Sequence, residues 1–237
     1  MKRTLSDWVV ENPKFNGILP LLETDTENPT ENESELADDI SLNAKPSISL
    51  SDSYIPPIIQ CLTELALGTE EYAEACKAVG KNENTEFERK VAIAFRILGM
   101  EVEELGQGRG NNPDGIAIGE SPTIGTWALL YDAKVRTGDY LLSTDEERKF
   151  KDYLGPVHNC QNLIMKVRKR YFGVIGSRFR ERDLQKAKEI KASCPKCDGF
   201  VLLKCETILN FVEQKIKAPN SFDLERFRKV LETVDVV

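Results

Sequence analysis

The chain reads as an α/β protein with a central mixed β-sheet flanked by helices. Three observations predict this. Asn112-Pro-Asp-Gly-Ile-Ala-Ile-Gly119 and Trp127-Ala-Leu-Leu-Tyr-Asp-Ala-Lys-Val135 read as two neighbouring strands, the second apolar enough to be buried on both faces. Segments with apolar residues at helical spacing lie on either side of this pair. Short strand-like runs then alternate with helices towards the C-terminus, as in a sheet covered on both sides.

Taken in order, residues 1–54 read as an acidic, largely flexible arm. Trp8, Val9, Val10, Phe15 and Ile18 suggest a short docking segment. Residues 23–53 are rich in Glu, Asp, Asn, Thr, Ser and Pro and carry too little apolar surface to offset chain entropy. The charge divides at the same place. Residues 1–56 hold four Lys/Arg against eleven Asp/Glu, which accounts for the whole net charge of −7; residues 57–237 hold 28 of each. A single folded domain is expected over 55–237.

Within that domain, Ile58, Ile59, Leu62, Leu65 and Ala66 predict a helix from Ile55 that Gly68 breaks, with Thr69 capping a second helix to about Val79. Asn84 or Thr85 is expected to cap a helix over Glu86–Leu98, ended by Gly99. Met100–Leu105 reads as a strand. Gly106-Gln-Gly-Arg-Gly-Asn-Asn is a glycine-rich loop that lacks the Lys-Ser/Thr of a nucleotide-binding P-loop. Ser143 or Thr144 begins a helix to about Tyr153. Strand Tyr171–Ile175, helix Arg182–Ala192, strand Gly199–Leu203, helix Glu206–Ile216 and a helix Phe222–Val234 capped by Ser221 complete the domain.

The chemistry concentrates on the two central runs. Side chains alternate along a strand, so Asp132 and Lys134 share a face while Ala133 points away. Pairing the runs as a hairpin brings Asp114 beside Asp132. Two carboxylates so placed repel unless a cation sits with them. Two carboxylates, the backbone carbonyl of Ala133 and water form an oxygen-only ligand set suited to Mg²⁺, with Mn²⁺ as a substitute. Lys134 is then placed to orient, and help deprotonate, an attacking water. This is a parts list for metal-assisted phosphodiester hydrolysis. The plainer alternative is that Pro113-Asp114-Gly115 is turn chemistry and Asp132/Lys134 a solvated pair.

Composition bounds the rest. His158 is the sole histidine, which argues against histidine-dependent catalysis. No run approaches a membrane span and no signal peptide is evident, so a cytoplasmic protein without membrane association is expected. From Lys166 to Lys191 there are ten basic and three acidic residues, a stripe suited to phosphates. Lys166, Arg168, Lys169 and Arg170, with Arg109 in the glycine-rich loop, are the candidate DNA contacts. Cys194-Pro-Lys-Cys197 is half of a zinc pattern that only Cys205, Cys160 or His158 would complete; free thiols in a helix-to-strand loop are the simpler reading.

The spelling Pro-Asp…Asp-x-Lys resembles the PD-(D/E)XK nuclease superfamily, and further segments resemble the FokI-type cleavage domain of type IIS restriction endonucleases. In order these are Phe87-Glu-Arg-Lys-Val-Ala, Pro113-Asp-Gly, Tyr131-Asp-Ala-Lys, Gly138-Asp-Tyr-Leu-Leu with Thr144-Asp-Glu-Glu-Arg-Lys-Phe, and Tyr171-Phe-Gly-Val-Ile-Gly-Ser-Arg-Phe. The resemblance covers roughly residues 80–235. It implies a restriction-endonuclease-like fold and a Mg²⁺-dependent endonuclease acting on double-stranded DNA. Catalytic roles fall on Asp114, Asp132 and Lys134, and Glu88 would hold a water at the metal or a second ion. It also implies transient pairing of cleavage domains, on Asp145 and Lys149 here, where Lys149 replaces an arginine. The glycine-rich loop is less basic than in the family. No second domain, helix-turn-helix or zinc finger is evident, so a separate recognition subunit or domain is expected. The rival readings are a structure-specific repair or recombination nuclease and a non-catalytic DNA-binding module.

Overall fold

The computed structural model describes residues 55–105, 112–155 and 166–233. The expected arm at 1–54, Arg109, and the candidate zinc ligands His158 and Cys160 lie outside the described residues.

The first expected helix is two short ones, α1 (Pro57–Gln60) and α2 (Leu62–Ala66), and the second is α3 (Glu70–Ala78). The break falls at Cys61 as well as at Gly68, because Cys61 leaves helical geometry (ψ 12°). Thr69 does stand at the N-cap of α3, yet its side chain makes no capping bond. Helix α4 (Glu83–Leu98) starts earlier than the sequence suggested. Asn82, not Asn84 or Thr85, is the cap, since its Oδ1 accepts the Asn84 and Thr85 amides at 2.9 and 3.3 Å. Gly99 ends it in the left-handed region, φ 96°, which glycine adopts without a Cβ clash.

The sheet contains β1 (Glu101–Glu104), β2 (Gly115–Ser121), β3 (Gly125–Ala133), β4 (Lys169–Gly176) and β5 (Gly199–Lys204), in spatial order β1-β2-β3-β4-β5. β1, β2 and β3 are antiparallel neighbours; β3, β4 and β5 are parallel. The parallel strands are joined by crossovers containing α5 (Thr144–Tyr153) and α6 (Glu181–Ser193). Helices α7 (Cys205–Lys217) and α8 (Leu224–Glu232) close the chain. The last helix begins at Asp223, whose Oδ1 accepts the Glu225 amide at 2.9 Å. Ser221, the expected cap, donates its hydroxyl to the Ala218 carbonyl instead.

β3 sets the two cores. Trp127, Leu129 and Tyr131 face one side, packed with Phe87 and Phe95 of α4, Ile208 of α7 and Phe227 of α8. Ala128 and Leu130 face the other, with Phe150 and Tyr153 of α5 and Ala187 and Ile190 of α6. Every residue from Trp127 to Ala133 is buried, the pattern of a strand inside a sheet covered on both faces. The mixed sheet flanked by helices is therefore the fold expected from the sequence.

Candidate active site

The β2–β3 hairpin builds the site. Gly115 pairs with Tyr131 across it, and any side chain at Gly115 would collide with Tyr131: a Cβ would fall 2.3 Å from the phenol oxygen. That glycine lets the strands close over the ring and carries Asp114 to the end of β3. The Asp114 amide donates to the Tyr131 carbonyl at 3.0 Å, and its Oδ2 accepts the Ala133 amide at 2.6 Å. Asp132 lies one residue away on the α5/α6 face and is 0% exposed. Lys134, just past β3, is held by its amide on the Ile175 carbonyl of β4 at 2.8 Å, and its ammonium touches Asp132.

The charges do not balance. Asp132 Oδ1 is buried with no hydrogen-bond partner, and the Lys134 ammonium rests against Oδ2. Burial, then the charges of Asp132 and Glu88, push the Asp114 carboxyl up to about 8. Glu88, half-buried on α4, is also raised, by burial first and then by Asp132. Burial pulls Lys134 down, but Asp132 beside it and Asp114 more than reverse that, so the ammonium stays protonated. Three carboxyl groups thus crowd a site of low dielectric in which one ammonium, that of Lys134, is in contact with a carboxylate. Among the described residues no three Asp, Glu, His or Cys side chains converge closely enough to hold an ion by themselves. Asp114 and Asp132 are the close pair, and Glu88 acts on them through its charge. The cation deficit and the unpartnered Asp132 oxygen fit a divalent ion whose remaining ligands come from backbone and water.

The stripe singled out in the sequence is split between the two ends of the sheet. Lys169 pairs in register with Trp127, whereas Val174 pairs with Asp132. Five residues of strand, about 16 Å, separate Lys169 from the aspartate. Lys166, Arg168, Lys169 and Arg170 therefore lie at the far end of the sheet. There Lys169 binds Asp198 at 2.7 Å, and Arg168 and Arg170 line an open groove of about 340 Å³ with Lys196 and Asp198. The basic residues at the catalytic end are Arg136, two positions past Lys134, and Arg178, two past β4, both exposed. Parallel strands bring their carboxyl ends together, which sets Arg178 at the same end of the sheet as Asp132.

The connection from Lys134 to α5 is clasped to α6. The Leu142 amide donates to buried Asp183 Oδ1 at 3.0 Å, Arg180 Nε donates to the Tyr140 carbonyl at 3.2 Å, and Lys186 Nζ donates to the Leu142 carbonyl at 2.7 Å. Ser143 then starts α5 with a reciprocal capping box to Glu146. On α5, Asp145 and Lys149 do not pair within the helix. Asp145 faces Arg148 at 3.8 Å, both well exposed, while Lys149 lies over the Tyr153 ring at 5.4 Å. The Cys194–Cys197 turn closes through the Cys197 amide on the Cys194 carbonyl at 2.9 Å. The Cys197 thiol donates to the Gly199 carbonyl, and burial pushes it up to about 12.

The model of the FokI cleavage domain family matches residues 42–237. Two solved structures share the fold at 19% identity: restriction endonuclease FokI (TM-score 0.58) and restriction endonuclease FokI bound to DNA (TM-score 0.60). Each match covers 76% of this chain and 30% of the other, so the chain corresponds to about a third of FokI's length. No curated protein matches this chain. The likeness of fold and the family match, which runs over most of the chain, agree, and the chain belongs to the FokI cleavage domain family.

Proposed function

We propose that the protein is a Mg²⁺-dependent DNA endonuclease, the cleavage module of a type IIS-like restriction system. The observation that carries this reading is the cation deficit at the end of β3, where Asp132 is sealed from solvent beside Asp114 and Glu88 with Lys134 as the nearby counter-charge. Asp114, Asp132 and the Ala133 carbonyl would hold the ion. When bound, it supplies Lewis acidity toward the phosphate and the attacking water. Lys134 stays protonated while Asp132 faces it, so its first role is that of a positioned cation donating hydrogen bonds to the scissile phosphate or the water. It can accept a proton only when Asp132's charge is engaged elsewhere. Glu88, on α4, would hold a water or a second ion.

Arg136 and Arg178, exposed at the same end of the sheet, are better placed than the Lys166–Arg170 group to carry backbone phosphates past this centre. Phosphate contacts position a nuclease without reading bases. We assign base recognition to a separate subunit or domain, in keeping with a chain that corresponds to the cleavage part of FokI. One such centre cuts one strand, so double-strand cleavage needs a second, brought by transient pairing through α5, with Asp145 and Lys149 on its surface.

The test is plasmid relaxation with Mg²⁺, with Mn²⁺ and with chelator. Wild-type protein should nick with either metal and not with chelator, and Asp132→Ala should lose at least about a thousandfold in rate. Nicking at wild-type rate by Asp132→Ala would show that the site lies elsewhere.

A further inference from the structure

We propose that the basic groove at the far end of the sheet is a second DNA-binding site, which holds the sugar–phosphate backbone of a DNA segment other than the one being cut. The proposal rests on the nuclease reading above for the class of ligand, and the groove lies apart from the centre which that reading describes.

The groove forms where two loops enter the sheet side by side. β4 and β5 are parallel, with Tyr171 opposite Gly199, so their amino ends start together. Val167 and Arg168 lead into β4, and Pro195, Lys196 and Asp198 lead into β5; with Arg170 they line the opening of about 340 Å³. Asp198 braces the two loops. Its Oδ1 accepts Lys169 Nζ at 2.7 Å, its Oδ2 accepts the Arg170 amide at 2.8 Å, and its own amide donates to the Arg170 carbonyl at 2.7 Å. On one side the Arg168 amide donates to the Thr126 carbonyl at 2.9 Å, and the Arg168 side chain runs past Gly125 at the turn of the β2–β3 hairpin. On the other, the closed Cys194–Cys197 turn presents Pro195 and Lys196.

The charge in this frame is one-sided. Arg168, Arg170 and Lys196 line it with one carboxylate, and that carboxylate already meets Lys169. Arg168 and Lys196 are exposed, and among the described residues neither pairs with an acid. Small ligands are held in concave, largely apolar pockets. An open groove with cations spread along it suits an extended polyanion instead. Arginine presents a planar fork that meets phosphate oxygens two at a time. A protein partner would bury an apolar centre, and only Val167 and Pro195 offer one here. A phosphate backbone is the ligand these side chains favour.

Position decides which DNA it is. The groove opens at the amino ends of β4 and β5, whereas the cleavage centre lies at the carboxyl end of β3, which runs parallel to β4. Duplex DNA is stiff over about 150 base pairs, so a segment lying across the centre does not turn back onto the opposite end of one domain. A second segment reaches it where a supercoiled plasmid crosses itself. Filling the groove then raises the local concentration of DNA at the centre without touching the reacting phosphate.

The experiment compares nicking of supercoiled plasmid with nicking of a short duplex, about 20 base pairs and so far below the length over which DNA bends. The proteins are wild type, Arg168→Ala/Lys196→Ala, the charge-keeping Arg168→Lys/Lys196→Arg and, as a charge-matched control, Lys77→Ala/Lys188→Ala on exposed faces of α3 and α6. The alanine pair in the groove should raise KM on plasmid about five- to tenfold at unchanged kcat. It should also flatten the dependence of log(1/KM) on log[salt] by about 1.8, the value of two phosphate contacts. On the short duplex it should match wild type, and the other two variants should match wild type on both substrates. An unchanged KM and salt slope on plasmid would overturn the proposal. So would an equal rise of KM on the short duplex, which would put the groove on the path of the DNA being cut. Metal-free plasmid binding, read by mobility shift, keeps the two readings apart. Wild-type protein that fails to nick with Mg²⁺ removes the nuclease reading; weaker binding by the groove variant then still upholds the groove, and equal binding overturns it.

Discussion

Two buried acidic clusters in this molecule solve the same electrostatic problem in opposite ways. Under α8, Glu225 and Arg228 are 7% and 5% exposed, and the guanidinium fork takes both Glu225 oxygens, Glu232 and the Tyr171 hydroxyl. Hydrogen bonding from Arg228 brings Glu225 down to about 2. At the end of β3, burial and crowding raise Asp114 to about 8, and an Asp132 oxygen is left unpartnered. The first cluster is complete in the protein as it stands. In the second, one ammonium meets Asp132 and the crowding of the carboxyls is left unrelieved. Burial alone therefore does not mark a functional site; burial without matching counter-charge does.

The largest effect that would sharpen this contrast is on activity. Lys134→Arg keeps the charge but replaces a compact ammonium by a planar fork that does not fit against buried Asp132. We expect nicking to fall about 100- to 1,000-fold, with an unchanged circular dichroism spectrum. An arginine variant that retains most of the activity would make Lys134 an incidental charge.

The next effect is on stability and belongs to the other cluster. Arg228→Met leaves Glu225 buried without its partner and should cost about 3 kcal/mol, read from urea unfolding. A completed cluster also predicts a pH direction. Glu225 is ordinary in the unfolded chain, near 4, and about 2 in the fold, so its contribution is present above pH 4 and is lost as pH falls through 2. Arg228→Met should flatten that acid limb. A loss below about 1 kcal/mol would show the network to be superficial.

The smallest effect has the opposite sign. Asp114 titrates near 4 unfolded and about 8 folded, so the fold binds a proton that the unfolded chain has released across that window. Its contribution is fully present below pH 4 and is lost as pH rises through 8. Asp114→Asn keeps an acceptor for the Ala133 amide and removes the charge. After allowance for solvent screening at this partly exposed group, the metal-free variant should be about 1–2 kcal/mol more stable than wild type at pH 8.5, a Tm higher by about 2–6 °C. The gain should vanish at pH 4. Equal stabilities at both pH values would mean that the carboxylates are not in conflict.

Much of this was legible in the sequence because it rests on local rules. Asp132 and Lys134 share a face through the two-residue period of a strand, and the unbroken apolar run to Tyr131 announced a buried central strand. Gly99 and Ser143 ended and began helices as their backbone preferences require. What was not legible depends on register or on distant partners. The basic stripe looked continuous, yet pairing Lys169 with Trp127 sends its first residues to the far end of the sheet. Asp183 looks like an ordinary first-turn helix acid until Leu142, 41 residues away, is found bonded to it. Cap positions slipped by two or three residues because several neighbouring Asn, Thr, Ser or Asp side chains competed for each.

The hairpin that joins Asp114 to Asp132 also bears on the order of folding. β2 and β3 pair over a three-residue connection, whereas β3 to β4 and β4 to β5 must wait for crossovers through α5 and α6. Local contacts close first, because less chain entropy is spent on them. The two carboxylates are therefore brought together while much of the sheet is still unformed, and their repulsion falls on the rate of reaching the native state as well as on its depth. That repulsion is greatest above pH 8, where Asp114 has lost its proton.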